Sequence, residues 1–236
     1  MTILALEFSS ARRSVAVLDW GKGRGSPPSK AEWAPTERCP PVKLAEAIQT
    51  GAGGTNAFHL AENALNEAGL TREQIKIIAV GLGPGSYTGI RVAVSLAQGW
   101  QLARGVKLLG VSSAECLAAQ AQEENTFGRV NVIIDAQRNE FYLASYEISS
   151  HGWQEVRPLR IVSLAQMKPR IGGDEFWVGP EAKRWFPEGK NLFPSAATLG
   201  RLAFGRGDFV GGDQLTPIYL RETAFLKAPP PNRLLL

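Results

Sequence analysis

The sequence predicts an α/β fold arranged as two related lobes, and three observations carry that expectation. Apolar, strand-like runs alternate with helical patterns along most of the chain, which favours helices packed on mixed sheets. A strand–acid–turn–strand plan occurs twice. Ile3-Leu4-Ala5-Leu6 ends in Glu7 and returns through Val15 and Val17, while the run from Val130 to Ile134 ends in Asp135 and returns through 141–146. Glu7 and Asp135 lie 128 residues apart, a spacing that fits a duplicated lobe, although two similar hairpins also arise by chance. Finally, Gly81-Leu82-Gly83-Pro84-Gly85-Ser86-Tyr87-Thr88-Gly89-Ile90-Arg91 joins an apolar run to a helical one. At 236 residues the chain can bury a sizeable core, as one large domain or two small lobes.

Each element follows from local chemistry. Ser9 to Arg13 supply the polar turn of the first hairpin, and 137–140 that of the second. After the Gly/Pro/Ser-rich loop 21–29, residues 30–34 read as a third strand. Helix 56–68 carries Phe58, Ala61, Leu65 and Ala68 at helical spacing, and Gly69 ends it. Strand 75–80 precedes the glycine run, and helix 90–104 follows it with Ser86 or Thr88 as cap. Strand 106–111 and helix 113–123, capped by Ser112 or Ser113, complete the first half. Beyond the second hairpin, 159–163 and 175–178 read as strands and 196–205 as a helix. Ile171-Gly172-Gly173-Asp174 reads as a turn, and Pro229-Pro230-Pro231 begins a loose tail. The expected division is a first lobe over 1–112, a second over 113–215 and a C-terminal segment over 216–236.

Composition excludes several function classes. The net charge of +4 and pI near 9.2 are mildly basic, yet Lys and Arg are scattered with no run that reads as a nucleic-acid arm. Cys39 and Cys116 are too far apart in sequence for a metal-type or redox-type pair. His59 and His151 are the only histidines, so a His-rich metal cage is excluded, and no Ser or Cys has an identifiable His partner for peptidase chemistry. No apolar run approaches the ~20 residues of a membrane span, and Met1-Thr2-Ile3-Leu4 enters a strand without the charged start of a signal peptide. A cytosolic globular protein is expected.

The glycine run admits two readings. Glycines permit positive φ and close approach, and the first N–H groups of a helix are unpaired donors, so strand–glycine turn–helix is an anion-binding arrangement. The same residues also make a tight connection that binds nothing, and the spacing matches neither the P-loop nor the dinucleotide fingerprint. In the helix beyond, Gly89, Ala93 and Ala97 recur every four residues beside a second row, Ser95, Gly99 and Ala103. Small rows let another helix approach closely. They serve either the chain's own sheet or another subunit.

The hairpin with Glu7, Ser9 and Ser10, the block from Gly81 to Val92, the run Ile134-Asp135-Ala136-Gln137-Arg138-Asn139-Glu140-Phe141-Tyr142, and Pro217-Ile218-Tyr219-Leu220-Arg221 together resemble the bacterial TsaB (YeaZ) family over the full length. The resemblance implies the actin-like/Hsp70-like ATPase (ASKHA) fold with two ribonuclease-H-like lobes. It further implies a role in making threonylcarbamoyladenosine, the base 3′ of the anticodon in tRNAs reading codons that begin with A. In that role the chain would be a non-catalytic partner of TsaD, which transfers the threonylcarbamoyl group, alongside the P-loop ATPase TsaE. Contact with tRNA would be indirect, and self-pairing through the same surface is open.

The implied interface comprises helices 56–68 and 90–104, with Phe58, Ala61, Leu65, Gly89, Ala93, Ala97 and Trp100 as contact residues. Glu7, Ser9, Gly83, Gly85, Ser86 and Asp135 would line a vestigial nucleotide cleft. No cofactor or metal of its own is implied, and a nucleotide at the heterodimer interface is left open. Two departures stand out. Glu7 occupies a position where actin-like ATPases usually carry Asp, and no His occurs in 51–55, where family members commonly have one; His59 reads as an ordinary helix-surface or interface residue. The alternative function is an actin-fold ATPase or small-molecule kinase, with Glu7 and Asp135 facing one cleft as metal ligand and general base.

Overall fold

The computed structural model describes residues 1–19, 42–51, 56–167, 175–204 and 206–220. The expected strand 30–34, the turn 171–174, Cys39 and the proline tail lie outside those residues. Strands β1 (Thr2–Glu7), β2 (Arg12–Asp19) and β3 (Val42–Thr50) form an antiparallel meander. β4 (Ile77–Gly81) pairs parallel with β1, and β5 (Lys107–Val111) pairs parallel with β4, so the order is β3-β2-β1-β4-β5. A second sheet repeats the plan with β6 (Gly128–Asp135), β7 (Glu140–Ser149), β8 (Gly152–Ser163), β9 (Phe176–Gly179) and β10 (Lys190–Asn191). Its order β8-β7-β6-β9-β10 has the same strand directions. The hairpin echo is therefore one part of a duplicated five-strand unit. Both duplicated β4-type strands end in glycine for one reason. A Cβ on Gly81 would sit 2.1 Å from a Glu7 carboxylate oxygen, and one on Gly179 would sit 1.8 Å from the Ile133 carbonyl oxygen.

The first sheet is buried on both faces, which is why its strands read as continuous apolar runs. Leu4, Leu6, Val15, Val17, Ile78 and Val80 face one way, under α1 (Ala57–Ala68) and α2 (Tyr87–Arg104). The alternate residues Ile3, Ala5, Ala16, Leu18, Ile77 and Ala79 face α6 (Ala196–Ala203). Asn56 caps α1 by accepting from the His59 N–H at 3.3 Å, and Gly69 ends it in the left-handed conformation at φ 66°. Among the described residues β3 is the third strand, and its half-exposed edge position leaves only a weak alternation in the sequence. β8 likewise starts at Gly152, ahead of the expected 159–163, because its solvent-facing stretch is polar.

The third helix of each unit covers the other unit's sheet. α3 (Ser113–Glu123) follows β5 yet packs on β6, β7 and β8, whereas α6 follows β10 yet packs on β1 and β2. The two helices also touch, with the Arg201 guanidinium 2.7 Å from both Glu123 carboxylate oxygens. Gln120 accepts from the Ser195 N–H at 3.0 Å and donates to the Phe193 carbonyl at 3.0 Å. Beyond α6 the chain stays with the first unit: Val210 bridges to Leu108, Gly212 bonds to Gln98 and Gln101, and the Ile218 N–H donates to Leu82. The sheets thus divide near residue 112, but 196–218 return to the first lobe by packing. The outer face of the second sheet is closed by two four-residue helices, α4 (Leu164–Met167) and α5 (Ala182–Trp185), and by Trp177 stacked on Phe186.

α6 lies so close to the first sheet that a Cβ on Gly200 would meet the buried Leu18 side chain at 2.2 Å. Gly200→Val is expected to destabilise the protein by about 1–3 kcal/mol through overpacking, read as a lowered urea midpoint. An unchanged midpoint would show that α6 is held more loosely.

Candidate functional site

The glycine turn is occupied by the chain's own backbone. Gly83 and Gly85 adopt φ of 85° and 148°, and the Gly83–Pro84 peptide is cis. A Cβ on Gly85 would lie 2.1 Å from the Ser9 carbonyl oxygen, and one on Gly89 would lie 2.0 Å from that of Phe8. The close approach that these glycines allow is thus spent on the end of β1. Ser86 donates its N–H to the Ser9 carbonyl at 2.7 Å, and its hydroxyl caps α2 by accepting from Gly89 at 3.3 Å. The Gly83 carbonyl accepts from the Ser113 N–H at 2.8 Å, tying the turn to the start of α3.

Glu7 is fully buried. Its carboxylate accepts from the Ser9 N–H at 2.7 Å and the Ser113 hydroxyl at 2.9 Å, and Gly81 packs against it. Burial raises its pKa above the ordinary carboxylate range, against the opposing hydrogen bonds from Ser9 and Ser113. Asp135, its counterpart, is exposed and accepts from the Gln137 N–H at 2.6 Å within its own turn. That turn places Gln137, Arg138 and Asn139 at φ of 63°, 57° and 59°. The two carboxylates expected to face one cleft thus sit in different surroundings: Glu7 is enclosed by its neighbours, whereas Asp135 opens to solvent. The first turn of α6 is filled in the same manner, with the Ala197 N–H donating to Glu46 at 3.2 Å and the Ala196 N–H to the Ser14 hydroxyl at 2.8 Å. Cys116 is buried, and burial pushes its thiol well up, away from nucleophilic character.

The open surface lies elsewhere, between α1 and α2. Ala61, Leu65, Gly89, Ala93, Ala97 and Trp100, expected as contact residues, are buried in the first lobe's own core. Among them Gly89, Ala93 and Ala97 are small, which lets α2 lie close on its sheet. Phe58 does face outward, at 67% exposed. The row available to a partner is the second one, Ser95, Gly99 and Ala103, and a Cβ on Gly99 would meet nothing within 4 Å. Ile90, Val94 and Leu96 border the buried row, Arg91 and Leu102 the exposed one, and Leu102 is apolar yet 88% exposed, so flanking residue type does not separate the rows. Phe58, Ser95 and Leu96 line two adjoining cavities of about 570 and 330 Å³ in this groove. Its rim carries the pairs Arg72–Glu62 at 2.7 Å and Arg104–Glu73. His59 is exposed on α1, as expected of a surface residue.

The Glu7 environment sets a pH dependence. A raised carboxyl pKa means that the folded state holds the proton more tightly than the unfolded chain does. Its contribution to stability is present below the ordinary carboxylate pKa and is lost as pH rises through the raised value. Glu7→Gln, with an amide able to accept from Ser9 and donate to Ser113, should therefore gain on the native protein as pH rises. The gain is about 1.4 kcal/mol per pH unit between the two pKa values, measured by urea melts at about pH 4 and about pH 8. A difference that does not move with pH would contradict it.

Comparison with known proteins agrees with this architecture. Residues 55–198, more than half of the chain, match the family model described as TsaD: tRNA N6-adenosine threonylcarbamoyltransferase. The Escherichia coli K12 protein named tRNA threonylcarbamoyladenosine biosynthesis protein TsaB is 26% identical, covering 98% of this chain and 99% of its own. The Haemophilus influenzae protein of the same name is 28% identical over 97% and 98%. The solved structure of YeaZ from Pseudomonas aeruginosa matches with a TM-score of 0.71 at 25% identity, covering 93% of this chain and 99% of that one. Two five-stranded sheets of one topology, with these matches, are the two ribonuclease-H-like lobes of the actin-like/Hsp70-like fold. The chain belongs to the TsaD family, on its TsaB (YeaZ) branch.

Proposed function

We propose that this chain acts in tRNA threonylcarbamoyladenosine biosynthesis as a non-catalytic partner of a TsaD-type transferase. The modified base would be the adenosine 3′ of the anticodon in tRNAs reading codons that begin with A. The observation that carries this reading is the exposed small-residue row Ser95, Gly99 and Ala103 beside Phe58, an open groove on a helix pair. A helix of a related subunit can approach such a row closely, with little side-chain entropy lost. The names of the E. coli and H. influenzae relatives supply the pathway. Glu7, Ser9, Gly83, Gly85 and Ser86, packed on one another, support a vestigial cleft with no nucleotide chemistry of its own. A nucleotide bound jointly with the partner, a TsaE-type ATPase as third component, indirect contact with tRNA, self-pairing through the groove and a cytoplasmic setting all fit the same reading. No helix among the described residues is long and apolar enough to cross a membrane.

Gly99→Leu is expected to weaken binding of the TsaD-type partner at least tenfold, a loss of about 1.4 kcal/mol. The isolated chain should keep or gain stability, by up to about 1 kcal/mol from helix propensity. Calorimetric titration and thermal melts read the two effects, and unaltered affinity would remove the groove from the interface. Asp135→Asn should leave reconstituted tRNA modification within about threefold, whereas loss of a general acid or base costs about 100-fold or more. A loss on that larger scale would favour an enzymatic role for this chain.

A further inference from the structure

Three of the four sequence blocks that carry the family resemblance each supply a tyrosine to one cluster beside the start of α2. Tyr87 comes from the glycine run, Tyr142 from β7 and Tyr219 from the C-terminal block. The Tyr87 and Tyr219 rings lie 5.4 Å apart at 33°, and Tyr142 is near enough to act electrostatically on the Tyr219 hydroxyl. Arg91, one turn into α2, donates to the Tyr87 hydroxyl and holds its guanidinium 5.1 Å from the Tyr87 ring centroid. Tyr219 is fixed in place because its neighbour Ile218 donates its N–H to Leu82 at 2.8 Å. Despite these contacts the cluster is open, with Tyr87 56% and Tyr219 48% exposed.

The charge balance is uneven across the groove. Arg72 and Arg104, at the far cavity, are paired with Glu62 and Glu73. Arg91 lines the near cavity together with Tyr87, and no carboxylate among the described residues forms an ion pair with it. The first turn of its 18-residue helix holds no acidic residue that could compete for it. A guanidinium held by aromatic rings presents its fork in a set direction, which suits two parallel hydrogen bonds to a carboxylate. Much of the cavity lining is apolar (Ala57, Phe58, Val92, Leu96), an environment for a protein side chain rather than for a hydrated phosphate backbone.

The geometry points to a carboxylate anchor: Arg91, framed by Tyr87 and Tyr219, receives an Asp or Glu side chain of the docked TsaD-type subunit, and the C-terminal segment through Tyr219 is part of the docking face. This rests on the partner reading above and extends it to a residue pair and a charge. Arg and Tyr at the edge of an apolar groove, desolvated on docking, are the residue types that dominate interface energies.

The test is titration of the purified TsaD-type partner into the full chain and into Arg91→Met, Tyr219→Ala and Gly99→Leu. Melting temperatures confirm that each variant is folded, and each titration is repeated at about 0.05 and about 0.5 M salt. Arg91→Met keeps the apolar stem and should lose about 30-fold or more in affinity, and its residual binding should no longer respond to salt. Tyr219→Ala should lose about tenfold. If Gly99→Leu abolishes binding while both cluster variants bind within threefold of the native chain, the anchor is overturned and the docking groove stands. If the native chain does not bind the partner at all, the partner reading itself falls. A parallel gel-shift with unmodified tRNA separates the remaining ligand class: Arg91→Met that spares partner affinity but weakens RNA binding overturns the anchor in favour of a nucleic-acid contact.

Discussion

The carbonyl oxygens of Phe8 and Ser9 press against Gly89 and Gly85, and most of the molecule's character follows from that contact. At either glycine a methyl group would stand about 2 Å from a carbonyl oxygen, so the start of α2 is seated directly on the end of β1. This seating draws Glu7 under Gly81 and against Ser113, where a carboxylate has hydrogen-bond donors from its own chain and no open side. It also sets the rotation of α2 about its axis. With Ile90, Ala93 and Ala97 turned to the sheet, Ser95, Gly99 and Ala103 are turned outward. A close-packed glycine turn and an outward-facing helix groove are therefore two results of one backbone approach.

The two lobes share strand order but not the means of covering their sheets. The first uses helices of 12 and 18 residues, α1 and α2, on its outer face, whereas the second uses α4 and α5, each of four residues. Only a pair of long helices can offer an extended groove, which is why the open groove lies on the first lobe. In the second lobe the equivalent space is filled by Trp177, Phe186 and Met167, an interior sealed by large side chains instead of by long elements.

Much of this was legible in the amino-acid order, and the failures have identifiable causes. The duplicated hairpin was readable because buried central strands give apolar runs ending in an acid, at Glu7 and at Asp135. β3 was missed because an edge strand with one wet face, Val42–Thr50, mixes Lys43, Glu46 and Gln49 among its apolar residues. Which row of small residues faces solvent was decided by tertiary packing that periodicity alone does not encode. Ala93 and Gly99 look alike in sequence, yet one is fully buried and the other exposed. The glycine run announced a close backbone approach, but the approaching group was the chain's own Phe8 and Ser9, which sequence does not name. That α3 and α6 are traded between lobes left no local trace, since each helix has the same pattern wherever it docks.

That trade has a consequence during synthesis on the ribosome. Ile3, Ala5, Ala16, Leu18, Ile77 and Ala79 wait for α6 to cover them, and the hydrogen bond from Ala196 to Ser14 spans 182 residues. Until nearly 200 residues have been made, one apolar side of an otherwise complete sheet has no mate. Contacts of such long reach form slowly, and a bare sheet face in a nascent chain attracts other chains. Holdase chaperones binding the emerging polypeptide would be drawn to that face until α6 leaves the tunnel.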